Sequence, residues 1–187
     1  ICDLCVQIDL LKAHFTNDKT NDYPVSFLDP KKIKRVLDLY KMISPIIKCP
    51  QVSGGKISHK HLTSALLRGF PDRVAAKRKV TKGKKVFHSY NFCLGRGGKL
   101  GRTSSIVGSS PEYIIVLDAL EDPKANAAVG TTIQSASSIS KEALLQTNNS
   151  LMASEKQTAF NEKKGTITIS TITKYGKLAL SENSSLP

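Results

Sequence analysis

The sequence predicts an α+β chain, with an N-terminal helical part over residues 1–79 followed by a small β-barrel over residues 80–187. Three observations predict it. Apolar residues recur at three- and four-residue spacing through the N-terminal part, as one face of a helix requires. From Val86 onward the period becomes the alternation of strands, in short runs. Those runs are separated by stretches rich in glycine and serine, which carry turn chemistry.

The first helix is read in "CDLCVQIDLLKAHF", where Leu4, Ile8, Leu11 and Phe15 share a face. A polar stretch, "TNDKTNDYPVS", follows. Asp29 then caps and Pro30 opens a second helix, because a carboxylate satisfies free N–H groups and proline suits the first turn. Its apolar face is Ile33, Val36, Leu37, Tyr40, Ile43 and Ile47, with Pro45 bending or ending it. Lys31, Lys32, Lys34, Arg35 and Lys41 lie mostly off that face, as a solvated surface or a nucleic-acid contact. After the break "PQVSGGK", "ISHKHLTSALLRGF" reads as a third helix with Leu62, Ala65 and Leu66 inward and His59 and His61 at the surface. Pro71 ends it, and Asp72 starts a short helix from which Arg73, Lys77 and Arg78 project.

The strands begin at "KKVFHSYNFCLG", whose hairpin partner is expected in "KLGRTSSIV" with the intervening glycines at the turn. "EYIIVLDALED" is a continuous apolar run, hence a central buried strand. "VGTTIQSASSI" reads as a weaker strand, "SKEALLQ" as a short helix capped by Ser140, and "GTITISTITKYGKLALSE" as two strands broken at Gly176. Short strands with one helix, after an all-helical part, suggest a barrel of the oligonucleotide-binding type. The division is expected near Lys79 to Lys85.

With 187 residues and 40% hydrophobic content the chain is long enough to bury a core. The net charge of +13 points to a polyanionic partner. Its distribution is uneven: Arg68 to Arg102 holds eleven Lys or Arg and one acid, Asp72, so ten of the thirteen charges fall there. No apolar run suits a membrane span and no secretory signal is read, so a membrane partner and export are not expected. The chain starts at Ile1 and reads as a piece of a longer polypeptide. Four scattered cysteines, Cys2, Cys5, Cys49 and Cys93, fit an intracellular, reducing compartment. Cys2-x-x-Cys5 could be half a zinc site, but no second ligand pair is found, and positions i and i+3 of a helix share a face anyway. No metal or catalytic residue is assigned. Asp118, Glu121 and Asp122 read as solvated charges, lacking a histidine or ligand pattern beside them.

The stretch "NFCLGRGGKLGRTSS" resembles a phosphate loop in composition only. A Walker A loop needs Lys followed by Ser or Thr after its last glycine, whereas Leu100 follows Lys99. A dinucleotide fingerprint fails at Leu100, where its third glycine should stand. The stretch is therefore expected to be a hairpin, either with basic side chains toward a polyanion or as a purely structural turn.

Four blocks in order, "LLRGFPDRVAAKR", "CLGRGGKL", "EYIIVLDAL" and "GTITISTITKYGKLALSE", resemble the region after the motor in DEAH-box ATP-dependent RNA helicases of the HrpB-like group. Leu66, Leu67, Pro71, Asp72, Arg73, Val74, Ala75 and Arg78 carry the first block, and Gly95, Arg96, Gly97 and Leu100 the second, with Gly98 where the group has alanine. The resemblance implies a ratchet-like helical domain over 1–79 and an OB-fold-like barrel over 80–187. It implies an accessory region that guides single-stranded RNA for a motor, with ATP and Mg²⁺ held in motor domains and not here, since no motor motif occurs in this chain. The expected RNA-binding residues are Arg73, Lys77, Arg78, Arg96, Lys99 and Arg102, contacting phosphates, with Phe87 or Tyr90 stacking bases or else lying in the core. The alternative is a passive basic RNA-binding or ribosome-assembly protein. Motor motifs in upstream sequence would separate the two.

Overall fold

The computed structural model describes residues 2–16, 28–48, 58–82, 85–121, 130–147, 149–161 and 166–185. The breaks expected at 17–26 and 50–56, together with Cys49 and Asp122, lie outside them, as does the side chain of Phe87. The described residues are mixed α+β, with four α-helices and eight strands. The chain divides into two compact units, Leu4–Ser58 and Ile1–Asp3 with His59–Pro187. The position 79/80 falls inside a strand and not between units.

In the smaller unit, α1 (Asp3–Thr16) and α2 (Pro30–Ile47) form where the apolar spacing predicts. Asp29 is the N-cap of α2: its carboxylate accepts from the Lys31 N–H at 2.9 Å, and Pro30 occupies the first turn, where a missing N–H costs nothing. Pro45 does not stop the helix, which ends two residues later with Lys48 in the left-handed conformation. Of the expected apolar face only Ile33 is buried; Val36, Tyr40, Ile43 and Ile47 are exposed, along with Met42 and Ile46.

In the larger unit, α3 (His59–Gly69) buries Thr63, Leu66 and Leu67, while Ala65, expected inward, is exposed. The helix expected from Asp72 does not form. A single 3₁₀ turn, Pro71–Arg73, leads directly into β1 (Val74–Lys82). Valine and a period-two pattern win over capping chemistry here, because Val74 and Ala75 are fully buried on opposite faces of the strand.

β1 pairs antiparallel with β2 (Lys85–Phe92) from Ala75↔Phe92 to Lys82↔Lys85, so Lys79 to Lys82 and Lys85, from the segment expected to separate two domains, lie on the two arms of one hairpin. Next come β3 (Gly97–Leu100), β4 (Tyr113–Glu121) and β5 (Thr131–Ile139). The five strands close in the order β1-β2-β3-β5-β4, β3 and β5 being parallel and β1 pairing with β4. Ala75, Tyr90, Ile106, Ile114, Val116, Ile133 and Ala136 fill the interior, with Phe92, Leu100 and Ala119 packed against them. The strand expected over "KLGRTSSIV" stops at Leu100. Residues 101–112 are turns that insert Ile106 into the core. β4 is buried over Tyr113–Val116 and then, past irregular pairing at Asp118, surfaces at Leu120.

α4 (Lys141–Leu145) is capped by Ser140, whose hydroxyl accepts from the Ala143 N–H at 3.2 Å. Two strands broken at Gly176 are present, β7 (Thr166–Tyr175) and β8 (Leu178–Ser185), but they lie outside the barrel. They form a separate antiparallel sheet with β6 (Met152–Asn161), a strand the sequence pattern did not disclose. The two sheets meet at a polar joint. Tyr175 donates its hydroxyl to the Pro71 carbonyl at 2.9 Å and receives Asn149 Nδ2 at 2.9 Å, and the Lys177 N–H donates to the Cys93 carbonyl at 2.8 Å.

Candidate nucleic-acid interface

Strand period sorts the cations of the basic stripe. On β1, Lys77 stands opposite Tyr90 and so shares its inward face, while Arg78 stands opposite Ser89 on the other. Lys77 Nζ donates to the Ser110 carbonyl at 2.8 Å, capping one end of the barrel beside the Tyr90 hydroxyl, which donates to the Pro111 carbonyl at 2.8 Å. Arg78 Nε donates to Ser89 Oγ at 2.8 Å. Arg73 Nη1 donates to the Leu117 carbonyl at 2.9 Å, and its guanidinium lies 4.9 Å from the centre of the half-exposed Phe70 ring. These three cations hold protein groups.

The other three expected residues follow one another along the β2–β3 hairpin and the turn after it. Arg96 is exposed and ion-paired with Glu121 at the end of β4. An exposed pair of this kind contributes about 0–1 kcal/mol, so a phosphate can compete for the guanidinium. Lys99 and Arg102 are exposed, and among the described residues no hydrogen bond or ion pair holds either side chain. Lys99 stands opposite Thr132 on β5, which stands opposite Leu120 on β4, giving an outer-face row of a cation, a hydroxyl and an exposed apolar side chain. The stripe is thus two groups on strands that β2 separates, and the group flanking β3 is the accessible one.

The glycines explain why the hairpin is shaped this way. Gly95 has φ +100°, and the Phe92 N–H donates to the Arg96 carbonyl at 2.7 Å to close the turn. A Cβ on Gly98 would come within 3.1 Å of the Thr131 carbonyl and of the Phe92 ring, so a side chain there would ask β2 and β5 to give by a few tenths of an ångström, and glycine suits the close approach of the three strands. Lys177, which the sequence reading did not single out, also stands at this hairpin: its ammonium lies along Gly95, where a Cβ would sit 2.9 Å from Nζ. Seventy-eight positions separate it from Lys99, and no local pattern announces that the β7–β8 turn docks on the hairpin.

Of the two places open to Tyr90 the core is the one it takes, and the expectation for His59 changes. Tyr90 is 1% exposed and its hydroxyl is held protonated by burial, so it is core and not a stacking platform. His59 is not a plain surface histidine: its Nε2 is buried with no partner. Cys93 is fully buried, and burial pushes its thiol above the ordinary range, which removes it as a nucleophile. Cys2 is buried and forms a backbone bridge with Ser137. Among the described residues no three His, Cys, Asp or Glu side chains gather as a metal site, and no helix is long and apolar enough to cross a membrane.

No family model matches the sequence, and no curated protein matches it. Solved structures do. The crystal structure of the E. coli DExH-box NTPase HrpB superposes with a TM-score of 0.55 at 18% identity, covering 94% of this chain and 20% of that one. A crystal structure of the Escherichia coli DEAH/RHA helicase HrpB gives 0.52 at 17% identity, covering 93% and 20%. This chain therefore spans about one fifth of those helicase chains and shares the fold of that part.

Proposed function

We propose that the chain is an accessory RNA-binding region of a DEAH-box ATP-dependent RNA helicase, working inside the cell and guiding single-stranded RNA for a motor carried on other domains, which bind ATP and Mg²⁺. The strand order, with its parallel β3–β5 pair, supports reading the barrel as an OB-type fold, a fold that binds oligonucleotides. The helical residues before it take the ratchet-like role. One observation carries the reading: Lys99 and Arg102 stand exposed and unheld on a barrel whose fold recurs within HrpB helicase chains. The same likeness favours the helicase reading over that of a passive RNA-binding protein.

RNA binding rests on phosphate contacts, so its salt dependence is the test. Fluorescence anisotropy of a labelled single-stranded RNA is followed against salt for the wild type and for Lys99→Ala/Arg102→Ala. Each lost contact flattens the slope of log K against log salt by about 0.7, so the double variant is expected to flatten it by roughly 1.4. Glu121→Gln, which releases Arg96, steepens it. Unchanged slopes in both variants would refute this face as the RNA surface, and no measurable RNA binding by the wild type would refute the function.

A further inference from the structure

A cavity of about 980 Å³ lies away from the β3 face, walled by α3, the end of β5 and α4. It falls at the upper end of the size range of ligand pockets. Its apolar walls are Leu67, Pro71, Ile139 and Ala143, and its polar rim includes Lys60, Arg68 and Gln146. Among the described residues no carboxylate lines it. Most of its hydroxyls are already engaged within the protein: Thr63 donates to the His59 carbonyl, Thr147 to the Ala143 carbonyl, and Ser140 caps α4. Lys60 and Arg68 are exposed, and among the described residues nothing holds their side chains. His59 also lines the cavity, and its Nε2 is the buried side-chain nitrogen left without a partner. Buried polar atoms are almost always hydrogen-bonded, so this one calls for a partner.

We propose that this cavity receives a single nucleotide of a single-stranded RNA chain. The base lies against Leu67, Pro71, Ile139 and Ala143, its polar edge meets His59 and Gln146, and the phosphate lies between Lys60 and Arg68. Three features select this occupant over a peptide or an apolar ligand: two unheld cations with no carboxylate among the lining residues, an apolar wall, and an unspent ring nitrogen. The inference rests on the RNA-binding reading and extends it to a second contact point, on the side of the larger unit formed by α3 and α4. A strand that reaches both points is held more tightly than one that reaches only the β3 face.

The test uses the whole chain, ¹⁵N-labelled, with three probes: a 12-nucleotide single-stranded RNA, 5′-AMP and inorganic phosphate. Expected is that the RNA and 5′-AMP shift the same amide resonances, those of Leu67, Arg68, Ala143 and Gln146, that phosphate alone shifts them far less, and that Lys60→Ala/Arg68→Ala weakens both ligands at least tenfold. The two cations are exposed, so the double variant keeps its fold, and its amide dispersion shows that it does. His59→Leu, checked the same way, loses 5′-AMP binding while the salt slope set by Lys99 and Arg102 persists. RNA that shifts resonances around Lys99 and Arg102 but none at the cavity overturns this inference and leaves the proposed function standing. If 5′-AMP enters the cavity but RNA does not, the occupant is a free nucleotide and the RNA-borne form is overturned. If neither RNA nor 5′-AMP binds anywhere, both readings fall.

Discussion

Asp3 offers the sharpest test of how the larger unit is held together. Its carboxylate is 5% exposed and accepts four hydrogen bonds: from the Ser105 N–H and hydroxyl at 2.6 Å each, from the Ser104 hydroxyl at 2.7 Å, and from the Ala136 N–H at 2.8 Å. Through them Asp3, which belongs to the larger unit, is tied to the turn after β3 and to β5. Hydrogen bonds to a charged group contribute roughly 1.5–3 kcal/mol each, but these share one carboxylate and do not add. With Asp3→Ala, Ser105 is exposed and its groups turn to water, and the Ser104 hydroxyl can rotate. The Ala136 N–H, fully buried, is left unpaired. The net loss is then about 3 kcal/mol, which at roughly 2–4 °C per kcal/mol lowers Tm by about 6–12 °C. Asp3→Asn keeps one acceptor oxygen and turns it to Ala136, so it loses about half as much. Thermal unfolding followed by far-UV circular dichroism is the assay, since the chain has no tryptophan. An Asp3→Ala variant that melts within about 2 °C of wild type, or an Asp3→Asn variant that melts below the Asp3→Ala variant, would refute this account.

Gly176 has φ +56°, and a Cβ there would meet the Cys93 carbonyl at 2.5 Å, so Gly176→Ala is expected to cost at least about 2–3 kcal/mol and to expose the Cys93 thiol to a thiol reagent under native conditions. The pH dependence follows from burial, which raises the Cys93 thiol and the Tyr90, Tyr113 and Tyr175 phenols above their ordinary values. The folded state then binds more protons than the unfolded state, so this stabilisation is complete below the unfolded thiol value of about 8.5 and declines as pH rises through the folded values. A urea midpoint that rises between pH 8 and pH 10.5 would contradict it. Lys77→Ala and Lys99→Ala form a matched pair: the first lowers the melting temperature with little change in RNA affinity, the second does the reverse, and a swapped pattern would mean that the faces are assigned the wrong way round.

What was legible in the sequence was what local chemistry decides. Asp29 with Pro30, and Ser140 ahead of α4, are caps whose carboxylate or hydroxyl needs only the next few N–H groups, and both form as expected. The glycine turn between β2 and β3 is local in the same sense. The reading went astray where distant residues decide. Val74 to Lys82 satisfies a helical spacing of cations, yet it pairs with β2 and β4, and burial of Val74 and Ala75 outweighs the weak helical preference. β6 hides in "MASEKQTAFN" because its described side chains are largely exposed, so it carries no apolar alternation, and its partner across the ladder supplies the order instead.

The basic stripe shows the same division within a candidate site. Net charge per segment is a property of the chain, whereas availability to a phosphate is a property of each side chain's surroundings. Arg73, Lys77 and Arg78 lie where backbone carbonyls and a serine hydroxyl stand within reach, and they are drawn into the structure. Lys99 differs because of what flanks it. In a strand the same-face neighbours of a residue lie two positions away, and for Lys99 these are Gly97 and Gly101, which have no side chains to accept a hydrogen bond from its ammonium. Across the sheet its ladder partner is Thr132. Gly97 and Gly101 thereby leave the cation between them unheld, and Gly101 also lies close against β5, where a Cβ would come within 3.1 Å of the Ile133 carbonyl; an unheld Lys99 is what the proposed contact with a polyanion requires. Substituting serine at Gly97 and Gly101 would test the link: if acceptors at those positions leave RNA affinity unchanged in a folded protein, the freedom of Lys99 has another origin.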